Sequence, residues 1–212
     1  MNWTELLLKK EPAPQAVVSS EYVYPIHHHE KKYKCIYADP PWDGDVFWNE
    51  EYTSTYPLLK DSQLLGMAPQ IRELAPSNAH LWMWTIAGKL EFALQLGRAW
   101  GFRESHFVFW QKDWLRMGKI RNMGELLLFF DQPNAPILQK DIPNHLYTPH
   151  WRGEHSEKPD EIRKDFVERG SPGPRLELFC RGKPLGREHE WDAWGNEPSM
   201  KNDVTIHVPW RL

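Results

Sequence analysis

A short apolar run in this chain ends at a carboxylate, two prolines and a large aromatic side chain. Residues 35–38 read Cys-Ile-Tyr-Ala, and the next four are Asp39, Pro40, Pro41 and Trp42. Each proline fixes φ and lacks a backbone N–H, and Pro41 also biases Pro40 toward an extended conformation. We therefore expect a rigid strand end at which the carbonyls of Asp39 and Pro40 point outward, with no helix or ladder partner. Such acceptors suit an exocyclic amino group.

Strand-like and helix-like patterns alternate along the chain around this motif. The predicted strands cover residues 34–38, 80–84, 106–110, 125–130 and 176–180, and the predicted helices cover residues 61–74, 89–100 and 158–168. This alternation is typical of an α/β fold with a parallel or mostly parallel sheet. Ligands bind to such sheets beyond the carboxyl ends of the strands, which is where we expect Asp39.

Two segments, 43–57 and 132–157, are long and poorly periodic, and we interpret them as mobile walls of the site. The domain organisation that we predict is an N-terminal arm over residues 1–32, one domain over residues 33–198 and a C-terminal tail over residues 199–212.

The net charge, the cysteines and the apolar runs indicate which classes of protein this chain can belong to. The 212 residues carry a formal net charge of −3, so any affinity for nucleic acid must come from a local patch or a partner. Cys35 and Cys180 lie in apolar runs and no charged-then-apolar leader opens the chain, which favours a cytoplasmic protein. No apolar run approaches the ~20 residues of a membrane span. The three histidines at 27–29 lack further ligands at metal-site spacing, so we expect no metal.

Basic and aromatic residues cluster between the third and fourth predicted strands. Trp110 and Trp114 are interleaved with four cations, and a further cation lies in the second long segment; these cations are Lys112, Arg116, Lys119, Arg121 and Arg152. Positive charge beside aromatic rings is typical of surfaces that bind nucleic acid, although a solvated loop of this composition is nearly as common.

Several further clusters accompany the Asp-Pro-Pro-Trp motif in a fixed order. They read Tyr-Thr-Ser-Thr-Tyr-Pro at 52–57, Ala-Trp-Gly-Phe at 99–102, His-Ser-Glu-Lys-Pro-Asp-Glu at 155–161, Arg-Leu-Glu-Leu-Phe-Cys-Arg at 175–181 and Trp-Asp-Ala-Trp-Gly-Asn-Glu at 191–197. Together they closely resemble the family of S-adenosylmethionine-dependent adenine methyltransferases typified by the catalytic subunit of the eukaryotic mRNA adenosine methyltransferase. That family also has bacterial and phage members, and the resemblance covers about residues 34–197.

The resemblance implies a Rossmann-like methyltransferase fold with helices on both faces of the sheet. The order of the motifs is permuted: the catalytic strand comes first and the cofactor strand lies near the C-terminus. Residues 181–186 then occupy the place of the cofactor-binding turn.

The resemblance also implies roles for individual residues. Asp39 and the carbonyl of Pro40 would accept both hydrogens of an adenine 6-amino group, and a hydrogen bond to a charged acceptor contributes about 1.5–3 kcal/mol. Trp42 would offer one face for the target base and Tyr56 a second, each contributing about 1–3 kcal/mol.

The cofactor is expected to be S-adenosylmethionine. The resemblance places Asp39 beside it, pairs Lys158 with the methionine carboxylate, and assigns the ribose hydroxyls and the adenosine to Arg181, Asn196 and Glu197.

Some assignments stay open on the sequence alone. Glu125 is either a structural ion-pair partner or a site residue. His155 is either a substrate contact or a helix cap, and Trp191 and Trp194 are either core residues or cofactor walls.

The partner is expected to be nucleic acid, DNA rather than RNA, because the chain is compact and has no added RNA-binding module. Relatives often work as dimers with an inactive homologue, so we expect self-association or a related second subunit, in a bacterial or phage-infected cell. The alternatives are a catalytically silent nucleic-acid-binding subunit and an enzyme acting on a cytosine 4-amino group or a glutamine amide.

Overall fold

The computed structural model describes residues 30–43, 57–116, 122–136, 141–149, 157–181, 190–196 and 200–209, without the side chains of 114–116 and 122–123. The strands are β1 Cys35–Ala38, β2 His80–Thr85, β3 Arg103–Arg116, β4 Asn122–Asp131, β5 His145–Thr148, β6 Arg175–Leu178 and β7 Trp191–Trp194. The helices are α1 Asp61–Gly66, α2 Ala68–Leu74 and α3 Leu90–Ala99, with a 3₁₀ turn at Ala87–Lys89 and a π-helix at Ile162–Glu168.

The seven strands form one mixed sheet in the order β5-β3-β4-β2-β1-β6-β7. β1 pairs in parallel with both β2 and β6, and β7 pairs in parallel with β6. β4 runs antiparallel to β2 and to β3, while β5 is parallel to β3. Among the described strands β4 is therefore the one reversed member, and the prediction of a mostly parallel α/β sheet is confirmed.

Alternation along β1 supplies both faces of the sheet. Ile36 and Ala38 point into a core formed with α1, α2 and α3, whereas Cys35 and Tyr37 point into a second core formed with the π-helix. Each fully buried aliphatic side chain contributes roughly 1.5–3 kcal/mol. Helices thus cover both faces, as the resemblance implied.

The predicted helix over residues 61–74 is divided into α1 and α2 at Met67. Pro69 stands at the second position of α2, and a proline there has no N–H to continue the hydrogen-bond ladder of α1. Met67 closes α1 by donating its N–H to Leu64.

Two short strands differ from the prediction. β5 lies within the segment 132–157, which we interpreted as loop, and β7 lies in a cluster expected only at a strand end. The β5 side chains alternate between exposed and half-buried at the sheet edge. Four residues with so little burial have no apolar periodicity that would reveal a strand.

The predicted C-terminal tail contributes side chains to the first core. Val204, Ile206 and Val208 are buried there, and Gln70 of α2 exchanges two hydrogen bonds of 2.8 Å with the backbone of His207. The predicted N-terminal arm lies almost entirely outside the described residues.

Candidate active site

Asp39 stands at the carboxyl edge of the sheet, directly after β1. Its backbone N–H lies 3.5 Å from the carbonyl of Leu178 at the end of β6, so the β1–β6 ladder extends to this residue. The Asp39 side chain is about one-third exposed, at 32%. A carboxylate is therefore held at a defined position while remaining accessible.

The carbonyl of Pro40, which we predicted to lack a helix or ladder partner, takes part in a tight turn. The carbonyl of Pro40 accepts the N–H of Trp42 at 2.9 Å, a bond that closes a three-residue turn around Pro41. The fixed φ of Pro41 suits this tight turn, and the bond belongs to neither a helix nor a strand ladder. A carbonyl oxygen has two lone pairs, so Pro40 retains the capacity to accept a second hydrogen bond.

Trp42 is mostly covered by its own protein. It is 7% exposed, belongs to the first core and meets Phe92 edge-to-face at 6.1 Å. Leu59 pins the same turn by donating its N–H to Pro41 at 2.8 Å. The structure gives Trp42 an anchoring contact, and its stacking on a target base stays a prediction.

Four alternating charges lie side by side at this edge of the sheet. Lys158 Nζ is 2.8 Å from Asp39 Oδ2 and 3.3 Å from Glu125 Oε2, and Glu125 in turn pairs with Lys112. The side chains of Lys158, Glu125 and Lys112 are only 12–15% exposed. We call Lys112, Glu125, Lys158 and Asp39 the charge row.

Each member of the charge row comes from a different part of the chain. Asp39 follows β1, and Lys158 precedes the π-helix. Glu125 lies near the start of the reversed strand β4, so it reaches the edge at which β3 and β1 end, and Lys112 lies in β3 two residues after Trp110, the register partner of Glu125. The reversal of β4 is what brings Glu125 to this edge.

Two tryptophan rings lie beneath the lysines. Lys158 Nζ is 5.1 Å from the centroid of Trp84 and Lys112 Nζ is 4.0 Å from that of Trp110, distances at which cation–π attraction operates. The two rings meet edge-to-face at 5.7 Å, and Trp84 Nε1 donates to the hydroxyl of Tyr37 at 2.7 Å. The two buried rings therefore help to fix the positions of the lysine ammonium groups.

The charges of the row reinforce one another. Burial raises the pKa of Glu125, but Lys158 and Lys112 outweigh it and lower that pKa to about 2. Burial lowers the pKa of Lys158, yet Asp39 and Glu125 outweigh it and the net direction is upward. Glu125 and Lys158 are therefore both charged at neutral pH.

The neighbouring strand ends carry a strained residue and a close backbone approach. Phe179, directly after β6, has a φ of 66° and stacks on Trp100 at 6.5 Å. A Cβ at Gly195 would lie 2.1 Å from the carbonyl oxygen of Cys180, so only glycine fits after β7. The positive φ of Phe179 is a backbone strain that costs about 1–3 kcal/mol, and strain of this kind is common at ligand sites.

The structure brings together only some of the predicted site residues. Asp39 and Lys158 are in contact, Arg181 follows Cys180 at the same edge, and Asn196 Nδ2 donates to the carbonyl of Pro57 at 3.0 Å. Several predicted residues lie outside the described part of the chain, as does the Arg116 side chain; these are Tyr56, Lys119, Arg121, Arg152 and Glu197. Their roles stay predictions.

Sequence reasoning did not identify the partners of Lys112 and Glu125. Lys112, expected at a nucleic-acid surface, is paired with Glu125. Glu125, left open between an ion-pair partner and a site residue, pairs with Lys112 and with Lys158, which also contacts Asp39. The signal that pointed to Glu125 was its position at the start of the predicted strand 125–130, and it could not identify the partners.

No group of three or more metal-ligating side chains occurs among the residues that the structure describes. None of the helices in those ranges has the length and apolar character needed to cross a membrane.

Two curated proteins are similar to this chain over most of its length. The Type II methyltransferase M.MunI of Mycoplasma sp is 28% identical over 196 residues, which are 82% of this chain and 82% of the relative. The N(6)-adenosine-methyltransferase subunit METTL3 of Danio rerio is 25% identical over 181 residues, which are 78% of this chain but 28% of the relative. No protein-family model matches the chain. Both relatives are methyltransferases, and the resemblance stated from the motifs is confirmed.

Proposed function

We propose that this chain transfers a methyl group from S-adenosylmethionine to the 6-amino group of adenine in nucleic acid, because it is similar to a Type II methyltransferase and to an N(6)-adenosine-methyltransferase subunit. The observation that carries this proposal is the partly exposed Asp39 carboxylate, held by Lys158 at the carboxyl edge of the sheet. Ligands bind to α/β sheets at that edge.

The residues at this edge suit the chemical groups of S-adenosylmethionine. Lys158 offers a cation for its carboxylate, and Arg181 and Asn196 offer donors for ribose hydroxyls and ring nitrogens. When bound, this group supplies a methyl already activated on a positively charged sulfur, so no covalent enzyme intermediate is required. The cofactor roles proposed for Asp39 and Glu197 complete this set.

Asp39 can orient the attacking amino group. Its Oδ2 is bound to Lys158, so we assign Oδ1 and the second lone pair of the Pro40 carbonyl to the two amino hydrogens. Held in this way, the nitrogen directs its lone pair at the methyl carbon. Attack by the held nitrogen would take the methyl group and form the N–C bond, the electron pair of the broken C–S bond would remain on a neutral thioether, and the nitrogen would release one proton to solvent. Positioning supplies much of the rate.

Adenine in DNA is the acceptor that we favour. The relative from Danio rerio is by name an N(6)-adenosine-methyltransferase subunit, which supports the 6-amino group. The similarity to the Type II methyltransferase covers 82% of both chains, whereas the similarity to the adenosine methyltransferase subunit covers 28% of that relative. We place DNA before RNA as part of the proposal. In a duplex the target base must leave the stack, at a cost of a few kcal/mol.

Mass spectrometry of nucleosides tests the acceptor and the polymer at once. DNA and RNA are incubated with the protein and isotopically labelled S-adenosylmethionine, then digested. We expect the label in 6-methyladenine from DNA and its loss in Asp39→Ala. Label in 4-methylcytosine, on a glutamine amide of the protein fraction or only in RNA would replace the proposed acceptor.

A catalytically silent subunit is the competing proposal, and a binding measurement separates the two. Isothermal titration that detects nucleic acid but no S-adenosylmethionine would favour the silent subunit. Sedimentation of the protein alone and with nucleic acid tests the proposed self-association; a monomer that is inactive by itself would direct the search to a related second subunit.

A further inference from the structure

Two members of the charge row, Glu125 and Lys112, have no part in the reaction as proposed above. They come from neighbouring strands, and their side chains are 15% and 13% exposed. Largely burying three charges at one edge of the sheet is costly unless each is paired. Because this row lies at the edge that carries Asp39, we looked to the reaction for the role of Glu125 and Lys112.

The row is arranged so that its charges cancel. Lys158 is shared between Asp39 at 2.8 Å and Glu125 at 3.3 Å, and Lys112 completes the neutralisation of Glu125. Two cations and two anions give a net charge of zero. Without Glu125, the row would contain two lysines and one carboxylate.

We propose that Glu125 is a positioning residue whose negative charge offsets Lys158, so that Asp39 remains effectively negative toward a positively charged reactant. This inference rests on the proposed function. The sulfonium carries a unit positive charge, and during methyl transfer that charge is shared between sulfur and the amino nitrogen. A site made more positive by one unit disfavours both.

Lys112 also determines the net charge of the row, with a sign opposite to that of Glu125. Its Nζ is held between Glu125 and the ring of Trp110, within the charge row. Its removal makes the row more negative and favours a cationic ligand. Lys112 is thus assigned to the site rather than to a nucleic-acid surface.

The test compares two ligands that differ by one methyl group and one charge. S-adenosylmethionine is a sulfonium, and S-adenosylhomocysteine is a neutral thioether. By isothermal titration, we expect Glu125→Gln to weaken the first about tenfold and the second by less than about threefold. Glu104, exposed near the start of β3, provides the matched control, since Glu104→Gln removes one charge at the opposite edge of the sheet and should change neither affinity. Equal weakening of both ligands by Glu125→Gln, or no weakening, would overturn the proposal.

Charge restoration distinguishes electrostatics from loss of shape. Adding Lys112→Met to Glu125→Gln returns the row to zero net charge, and most of the lost S-adenosylmethionine affinity should return. Glu125→Asp retains the charge and should stay within about threefold of wild type. A double variant as weak as Glu125→Gln alone contradicts the proposal. If Glu125→Gln does not fold, Lys112→Met alone gives the reverse test, with S-adenosylmethionine bound more tightly relative to S-adenosylhomocysteine.

The wild-type titration separates the two levels of inference. A wild-type protein that binds neither ligand contradicts the proposed function, and the role of Glu125 falls with it. A wild-type protein that binds both, with variants that affect them equally, contradicts only the role of Glu125.

Discussion

At the scale of single residues, the bond between Asp39 and Lys158 joins positions 119 residues apart in the chain. Lys158 keeps two carboxylates at one strand end from repelling each other, since Glu125 lies 3.3 Å from the same ammonium. The residue that we associate with the cofactor is therefore also structural, and its substitution has two separable consequences.

Lys158→Met is expected to lower the free energy of unfolding by about 3 kcal/mol, because it leaves Glu125 and Asp39 facing each other with one cation fewer. The value is at the lower end for a broken buried pair, since Asp39 is one-third exposed. Urea unfolding measures it. Lys158→Arg keeps the charge and serves as the control; a loss below about 0.5 kcal/mol in Lys158→Met would show that solvent replaces the ammonium.

Trp42→Ala is expected to destabilise the protein by about 3–5 kcal/mol, the usual cost of deleting a large buried aromatic side chain. The reason is its 7% exposure and its contact with Phe92. Trp42→Phe should cost much less. An alanine variant with wild-type urea stability but weakened nucleic-acid binding would instead support stacking on the target base.

At the scale of elements, the site depends on where β6 and β7 end. Cys180 donates its N–H to Trp194 at 2.9 Å, and its carbonyl oxygen lies against Gly195. The two strand ends are consequently locked together, with Asn196 next in the chain and bonded to Pro57. Any atom inserted between them moves Asn196.

Gly195→Ala tests this contact. The new Cβ would lie 2.1 Å from a backbone oxygen, so the strand ends must separate, and we expect about 2–4 kcal/mol of destabilisation together with weaker cofactor binding. Differential scanning calorimetry and ligand titration measure the two effects. Gly88→Ala, in the exposed 3₁₀ turn, is the matched control. Unchanged stability in Gly195→Ala would mean that the turn adjusts freely.

At the scale of the whole molecule, a buried histidine lies at the start of β2, where the strand aligns with Cys35 at the start of β1. His80 Nε2 donates to the carbonyl of Pro136 at 3.0 Å, so its Nδ1 accepts the hydroxyl of Ser171 at 2.8 Å, and that hydroxyl accepts Trp82 Nε1. This network accommodates a neutral ring. Burial lowers the pKa of His80 from 6.5, although the Pro136 carbonyl and Asp131 act in the opposite direction.

The stability of the fold is therefore expected to fall as the pH drops below about 6.5, because the unfolded histidine takes up a proton that the folded ring resists. The ionised Glu125 also stabilises the folded protein. That stabilisation is lost at lower pH, as the pH falls from the ordinary pKa of 4.5 to the folded pKa of about 2. Urea midpoints from about pH 7.5 to about pH 5.5 should decrease in the wild type and vary less in His80→Gln. An equal slope in both proteins would assign the effect to other groups.

Sequence patterns predicted most elements of the sheet because apolar periodicity reports local burial. The strand ending before Asp39 was found within one residue of its position. β5 was missed because its four edge residues are hardly buried. The hydrogen bond that closes the turn at Pro40 was not foreseen because it depends on the backbone path through Pro41. The cofactor-binding roles predicted for Arg181 and Asn196 rest on the motifs rather than on periodicity.

By itself, the sequence determined the α/β class, the rigid end of β1 and the order of the motifs, since these depend on local composition and on residues close together in the chain. Only the tertiary structure decided that Lys112, Glu125, Lys158 and Asp39 form one row. Their meeting requires the strand order β3-β4-β2-β1 and the reversal of β4. Charges brought together by strand order interact through space over a few ångströms, and no spacing along the chain encodes such distances.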